Sequence, residues 1–376
     1  MRIKVPKFIA IAVCAIVLLL GLFFLWKLSP TKIATFNYPD FTVEKMLRSN
    51  NNPFVKITQL DMTKAKRMKN YDVVLVRVHG SSLTEEHLLL IKKAIRSGVC
   101  VIATESDNSE INSLSGDNLK YVTTLMENSS VKNYRSLFNF LRKKIDKKLV
   151  SNKEYFEPII VPNDYYFHIG DDKFFSNYQD YLNYYKEIGL YKESAPNIVM
   201  LTGNINLQNS NEEHIVALIL SLEKRGFNVF PISSFGPKKL QLIKNVEPDI
   251  IIYTPHGRFL MGGAAAGENL LKELNVPIFA PIVLSEKYEN WVKSAQGMTA
   301  GGMTSMSVVL PELDGAIAPF AVSAQFERGG KLLFDKIPKH TEKFTSLVSN
   351  FAKLQHKKNK DKHIAIYCCP IKKSSK

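Results

Sequence analysis

Between a predicted strand and a predicted helix runs Gly262-Gly263-Ala264-Ala265-Ala266-Gly267. Free backbone N–H groups and the positive end of a helix dipole favour an anion at such a place. It is not a Walker A loop, because Glu268 and Asn269 stand where Lys and Ser/Thr are required, and it does not read GxGxxG. Gly262, Gly263 and Gly267 therefore carry two readings, an anion site for a group such as a carboxylate, or close packing of helix on strand. His214 falls in the first turn of a predicted helix, just past a strand ending at Thr202-Gly203-Asn204. The dipole there would hold the imidazole neutral and able to bind metal; the alternative is a partly exposed histidine in the helix cap. His256 follows the strand DIIIYTP with the same two readings. Pro311-Glu312-Leu313-Asp314-Gly315 sets Glu312 and Asp314 two residues apart at a turn between two short strands, SVVLP and AIAPFAV. Such a pair suits polarising a metal or taking protons from a ligand, while turn chemistry alone also accounts for Asp-Gly. His79 and His87 show no paired spacing and no HExxH occurs. Cys14, Cys100, Cys368 and Cys369 build neither a zinc site nor a disulfide framework.

The elements that must position these residues alternate in period. Asp72–Gly80 reads as a buried strand, Thr84–Ser97 as a helix with Leu88, Ile91 and Ile95 on one face, and Val99–Thr104 as a second strand, a βαβ unit. A longer series begins at Asn197: strand NIVMLTG, helix 211–225, strand NVFPIS, helix 237–245, strand DIIIYTP, helix 264–274, strand PIFAPI, helix 286–294. Ser210 and Glu213 form a capping-box pattern and Gly226 is placed to end the first helix. This order specifies an α/β chain with two Rossmann-like doubly wound parallel-sheet domains, whose ligands sit beyond the strand carboxyl ends. The expected organisation is 1–34 anchor and linker, 35–150 a small α/β domain, 151–195 an aromatic-rich connector, 196–356 the larger α/β domain, and 357–376 an orphan strand and basic tail.

Phe8–Trp26 is nineteen residues without a charge. At ~1.5 Å per residue it matches the hydrocarbon thickness of a bilayer. Arg2, Lys4 and Lys7 precede it and no small-x-small cleavage site closes it, so the expectation is an uncleaved N-terminal transmembrane helix with a cytoplasmic N-terminus and an extracytoplasmic body. The net charge is +15, and residues 132–153 and 353–376 each hold eight basic side chains and one acid, which accounts for nearly all of it. Neither stretch interleaves aromatics with its charge, so no nucleic-acid partner is expected; a solvated amphipathic helix over 132–150 and a solvated tail account for the balance.

These stretches resemble the large subunit of CobN-type cobaltochelatases and the related magnesium chelatase H subunit, which insert a divalent metal into a tetrapyrrole. The carrying residues are EEHIVALILSLEKRGFNVFPI (212–232), LKELNVPIFAPIVLSEKYENW (271–291), VVLPELDGAIAPF (308–320) and the segment 340–367, with a weaker likeness at DVVLVRVHG (72–80). The resemblance spans roughly 155–370. It implies a tetrapyrrole ligand with cobalt, magnesium or iron, places His214, Glu312 and Asp314 near that ligand, and implies AAA+ ATPase partners if the body is cytoplasmic. Family chains are much longer, lack a membrane span, and continue past their version of IAIYCCP, where this chain has IKKSSK. The expectation is an amino-terminal, membrane-anchored family fragment, inactive alone, with the strand His363–Cys369 left uncovered and its thiols reactive. Two other readings stand beside it: ATP-independent removal of metal from haem, and a non-catalytic tetrapyrrole-binding module or remnant.

Overall fold

The computed structural model describes residues 7–78, 83–106, 108–150, 153–170, 172–202, 211–298, 302–363 and 365. The chain forms two compact units: Met1–Ser176 with Ile205–Glu213 and Gln325–Phe334, and Asn177–Asn204 with His214–Ala324 and Asp335–Lys376. Both are mixed α/β with parallel sheets.

In the first unit, α1 (Lys7–Leu28) runs almost directly into β1 (Thr31–Phe36). Its stretch Ile11–Leu28, mean hydropathy 2.6, is long and apolar enough to cross a membrane, a profile that a signal sequence shares. There follow α2 (Asp40–Ser49), β2 (Val55–Leu60), a 3-10 segment (Met62–Asn70), β3 (Val73–Arg77), α3 (Glu85–Arg96), β4 (Cys100–Thr104), α4 (Gly116–Glu127), α5 (Val131–Phe140) and the antiparallel pair β5 (Tyr165–Phe167) and β6 (Phe174–Phe175). The parallel strands lie in the order β2-β1-β3-β4. Successive side chains alternate between faces. Ile33, Val73, Leu75 and Ile102 pack with α2, α4 and α5, whereas Ala34, Phe36, Val74, Val76 and Val101 pack with α3 and the 3-10 segment.

Two expectations change here. The stretch expected to be anchor and linker, 1–34, takes in most of β1, a central strand. TKIATF carries only two large apolar side chains, and its buried threonines hide it from a hydropathy reading. The basic stretch 132–150 is not a solvated helix: α5 buries most of its residues, passes into a wide π turn over Leu141–Asp146, and ends at Lys147 with φ 53. Arg142 and Lys148 within it are buried.

The second unit begins with α6 (Tyr178–Glu187). It continues through β7 (Asn197–Leu201), α7 (Glu213–Lys224), β8 (Asn228–Ser233), α8 (Lys238–Val246), β9 (Ile250–Tyr253), α9 (Ala264–Leu274) and β10 (Ile278–Phe279). These strands are parallel in the order β10-β9-β7-β8, the same chain-order pattern as the first sheet. β11 (Ile282–Lys287), α10 (Tyr288–Lys293), α11 (Leu310–Glu312), a ribbon of β12 (Ala321–Arg328) and β13 (Lys331–Lys336) whose residues Gln325–Phe334 belong to the first unit, and α12 (Pro338–His356) follow. The expected strand SVVLP is instead a π turn, Ser305–Val309, running into α11. Pro311 explains it: proline has no N–H for a sheet ladder and is tolerated in the first turn of a helix. The expected strand AIAPFAV begins only at Ala321. The aromatic connector 151–195 divides, with β5 and β6 in the first unit and α6 in the second. His79, Gly203, Asn204, Ser210, and the expected C-terminal strand apart from His363 and Ala365, including Cys368 and Cys369, lie outside the described residues.

Candidate functional site

In a parallel sheet whose strand order reverses after the first strand, the loops beyond the strand carboxyl ends diverge and leave room for a ligand. In the second unit that place is the end of β9, where residues 254–263 cross to α9. The loop is tied down by Asp314. Its Oδ1 accepts from Arg258 Nε at 2.9 Å and lies 2.7 Å from Nη2 of the same ion pair, and its Oδ2 accepts the Phe259 N–H at 2.7 Å. Arg258 Nη2 also donates to Glu268 Oε1 at 2.8 Å, and these two carboxylates raise its already high pKa. Lys239, on α8, is buried and donates through Nζ to the Phe259 carbonyl. Burial pulls its ammonium down to about 8, against the opposing charge of Asp314. Tyr253 closes β9 with its ring edge-on to Phe259, 5.6 Å between centroids, and its buried hydroxyl finds no hydrogen-bond partner among the described residues. Burial, and after it the charge of Asp314, raises its pKa. A guanidinium and a backbone N–H thus hold one carboxylate, and the ammonium on the Phe259 carbonyl adds its charge to the same loop. The arrangement is a carboxylate-binding pattern occupied from within by the chain's own Asp314.

The residues expected from sequence are not brought together. Asp314 is buried and engaged, whereas Glu312, two positions before it, is exposed on α11. His256 is exposed in the β9–α9 loop. His214, in the first turn of α7, is enclosed, and burial pushes its pKa to about 3, so it is neutral at ordinary pH. No group of three His, Cys, Asp or Glu able to hold a metal occurs among the described residues. The glycines divide. A Cβ on Gly263 would lie 2.9 Å from Leu260 Cδ2, and one on Gly267 would lie 3.2 Å from Leu260 Cβ, so packing accounts for both. Gly262, at φ +72 with open space around it, faces no such contact. Sequence reasoning missed Arg258, Lys239 and Tyr253. Arg258 had a signal, being the only cation between Asp249 and Gly267.

The first unit has a cleft at the equivalent end of its own sheet. An open cleft of about 650 Å³ lies beyond the carboxyl ends of β1, β2 and β3, lined by residues that include Tyr38, Asp40, Gln59, Asp61 and Arg77. Gln59 Nε2 donates to Asp40 Oδ1 at 2.7 Å, Arg77 pairs with Glu105 at 2.9 Å, and the Tyr38 hydroxyl lies 2.9 Å from Thr104 Oγ1. The walls are therefore set before any ligand arrives. No sequence motif marked this cleft.

Comparison with known proteins gives one consistent result. The CobN/magnesium chelatase family model matches residues 123–375. An uncharacterized protein of Methanocaldococcus jannaschii is 29% identical over 262 residues, 63% of this chain and 20% of that protein. The chloroplastic magnesium-chelatase subunit ChlH of Oryza sativa is 25% identical over 232 residues, 57% of this chain and 16% of that protein. The catalytic subunit of cobaltochelatase from Mycobacterium tuberculosis superposes with a TM-score of 0.63 at 16% identity, covering 86% of this chain and 27% of that one, a likeness of fold. The chain thus spans about a quarter or less of the length of these relatives.

Proposed function

The chain belongs to the CobN/magnesium chelatase family, and on that premise we propose that it is a tetrapyrrole-binding region of chelatase type, for a ring whose substrate metal is cobalt, magnesium or iron. The observation that carries the reading is the family match across 123–375, which takes in every strand of the second unit's parallel sheet. Metal insertion requires loss of two pyrrole N–H protons and distortion of a planar ring. The buried candidates are poor bases as arranged, since His214 is enclosed with a pKa of about 3 and Asp314 holds Arg258. What the residues support is recognition of the ring. Arg258 and Lys239 would meet its carboxylates in exchange for Asp314, with exposed His256 and Glu312 and the backbone at Gly262 beside them. Titrating the full chain with metal-free porphyrin and with haem, following the Soret band, tests this. The expected result is a saturable shift, weakened several-fold by Arg258→Ala and by His256→Ala. No shift with either ring overturns the reading.

The same proposal takes α1 as a membrane anchor with the body outside the cytoplasm, a reading supported by its exposed apolar surface and by Arg2, Lys4 and Lys7 before it. A body so placed meets no ATP, and a cavity that favours a distorted ring lowers the barrier in both directions, so removal of metal from haem becomes the reaction to test there. Alkaline phosphatase fused after Asp40 would then be active. An inactive fusion places the body in the cytoplasm, with AAA+ ATPase subunits as its partners.

A further inference from the structure

The end of α1 is fastened to the first unit. Ser29 Oγ donates to the Trp26 carbonyl at 2.7 Å, the Leu149 N–H donates to the Lys27 carbonyl at 3.0 Å, and the Lys27 ammonium donates to the Lys147 carbonyl at 2.7 Å. Arg142, fully buried, donates through Nη1 to the Ser29 carbonyl at 3.2 Å, Thr31 Oγ1 at 3.0 Å and the Phe54 carbonyl at 3.1 Å, and through Nε to the Val150 carbonyl at 2.7 Å. Lys148 donates to Ser29 Oγ at 2.9 Å, lies 3.5 Å from Asp146 and 3.7 Å from Asp72, and stands 5.2 Å from the Trp26 ring. Moving the 141–150 turn away from the helix end would strand two buried cations, which proteins avoid.

That fastening fixes a face. Lys144, Lys147 and Leu149 are exposed on the turn, Leu149 to 54%, beside Trp26 and Lys27. The carboxylates nearby are engaged: Asp146 and Asp72 by Lys148, and Glu154 by Lys143 at 2.9 Å. An indole and an exposed leucine flanked by ammonium groups, at the end of an apolar helix, match the headgroup layer of a bilayer. The apolar parts suit its depth and the lysines suit its phosphates. We propose that this face seats the first unit directly on an anionic phospholipid surface. The inference rests on the reading of α1 as a membrane span and adds to it the contact made by the body and the class of lipid it selects.

The test uses the full chain reconstituted in phosphatidylcholine vesicles with and without phosphatidylglycerol, with amide hydrogen exchange followed across 143–150. Exchange there should slow several-fold in the anionic vesicles and return to the neutral-vesicle rate at high salt. The double variant Lys144→Glu/Lys147→Glu should lose the difference while keeping its melting temperature in detergent. Retention of the chain after alkaline carbonate washing, with the same exchange in both vesicles, overturns the seat and leaves the anchor. A variant that keeps the anionic protection also overturns it. Release by carbonate overturns the anchor, and the seat with it.

Discussion

His214 makes a pH prediction whose sign follows from its burial. Its pKa falls from 6.5 to about 3 in the folded chain, so the unfolded chain takes up a proton in that window that the folded chain refuses. Stability therefore drops as the pH falls from about 6.5 toward 3, by at most about 5 kcal/mol. His214→Leu removes that titration, so its melting temperature should fall less between about pH 7 and about pH 4 than the parent's. Parallel acid profiles for the two proteins would mean that the imidazole gains a proton without unfolding. Residue types at this scale were legible in the sequence, and their partners were not. Spacing singled out Asp314 and His214, but the group that Asp314 holds, Arg258, is 56 positions away. Only the return of the chain past α11 to the end of β9 joins them. A carboxylate pair read as Glu312 with Asp314 is a pair in sequence alone, because one residue faces solvent while the other is covered.

Among the elements, the β9–α9 crossing shows which small residues do structural work. A Cβ on Gly267 meets Leu260 Cβ at 3.2 Å, and neither partner can rotate out of the way, so Gly267→Ala should lower stability by about 1–3 kcal/mol through overpacking. Gly262→Ala meets open space and carries only the penalty of a positive φ, about 1 kcal/mol. Urea unfolding of the two variants ranks them, and equal losses would show that Leu260 yields. Period-based reading found the βαβ run over Asp72–Thr104 and the alternating series from Asn197 because those strands are continuous apolar runs. It missed β1, where Thr31 and Thr35 are buried in the sheet, and it took SVVLP for a strand because β-branched residues favour strands until Pro311 and the following turn impose a helical one.

At the scale of the whole molecule, the first unit depends on one guanidinium that touches three separated stretches, residues 29–31, Phe54 and Val150. Arg142→Ala leaves the Ser29, Phe54 and Val150 carbonyls without their buried donor. At about 1 kcal/mol or more for each stranded acceptor it should destabilise the unit by about 3–5 kcal/mol, seen as faster amide exchange in β1 and β2 with β7 to β9 unchanged. Unchanged exchange in β1 would mean that water replaces the guanidinium. The net charge of +15 suggested solvated basic stretches, yet Arg142 and Lys148 are structural, something composition has no means of revealing. The topology also separates two surfaces. The helix α1 enters at the amino end of β1, while the 650 Å³ cleft opens at the carboxyl ends of β1 to β3. Six residues of strand at about 3.3 Å each set the cleft at a stand-off of roughly 20 Å from the point of attachment. With α1 in a membrane, as proposed above, a compound dissolved in the lipid could not slide sideways into that opening. It would have to leave the bilayer and arrive through water, so the tether would concentrate the protein near its surface without shortening the route its ligand takes.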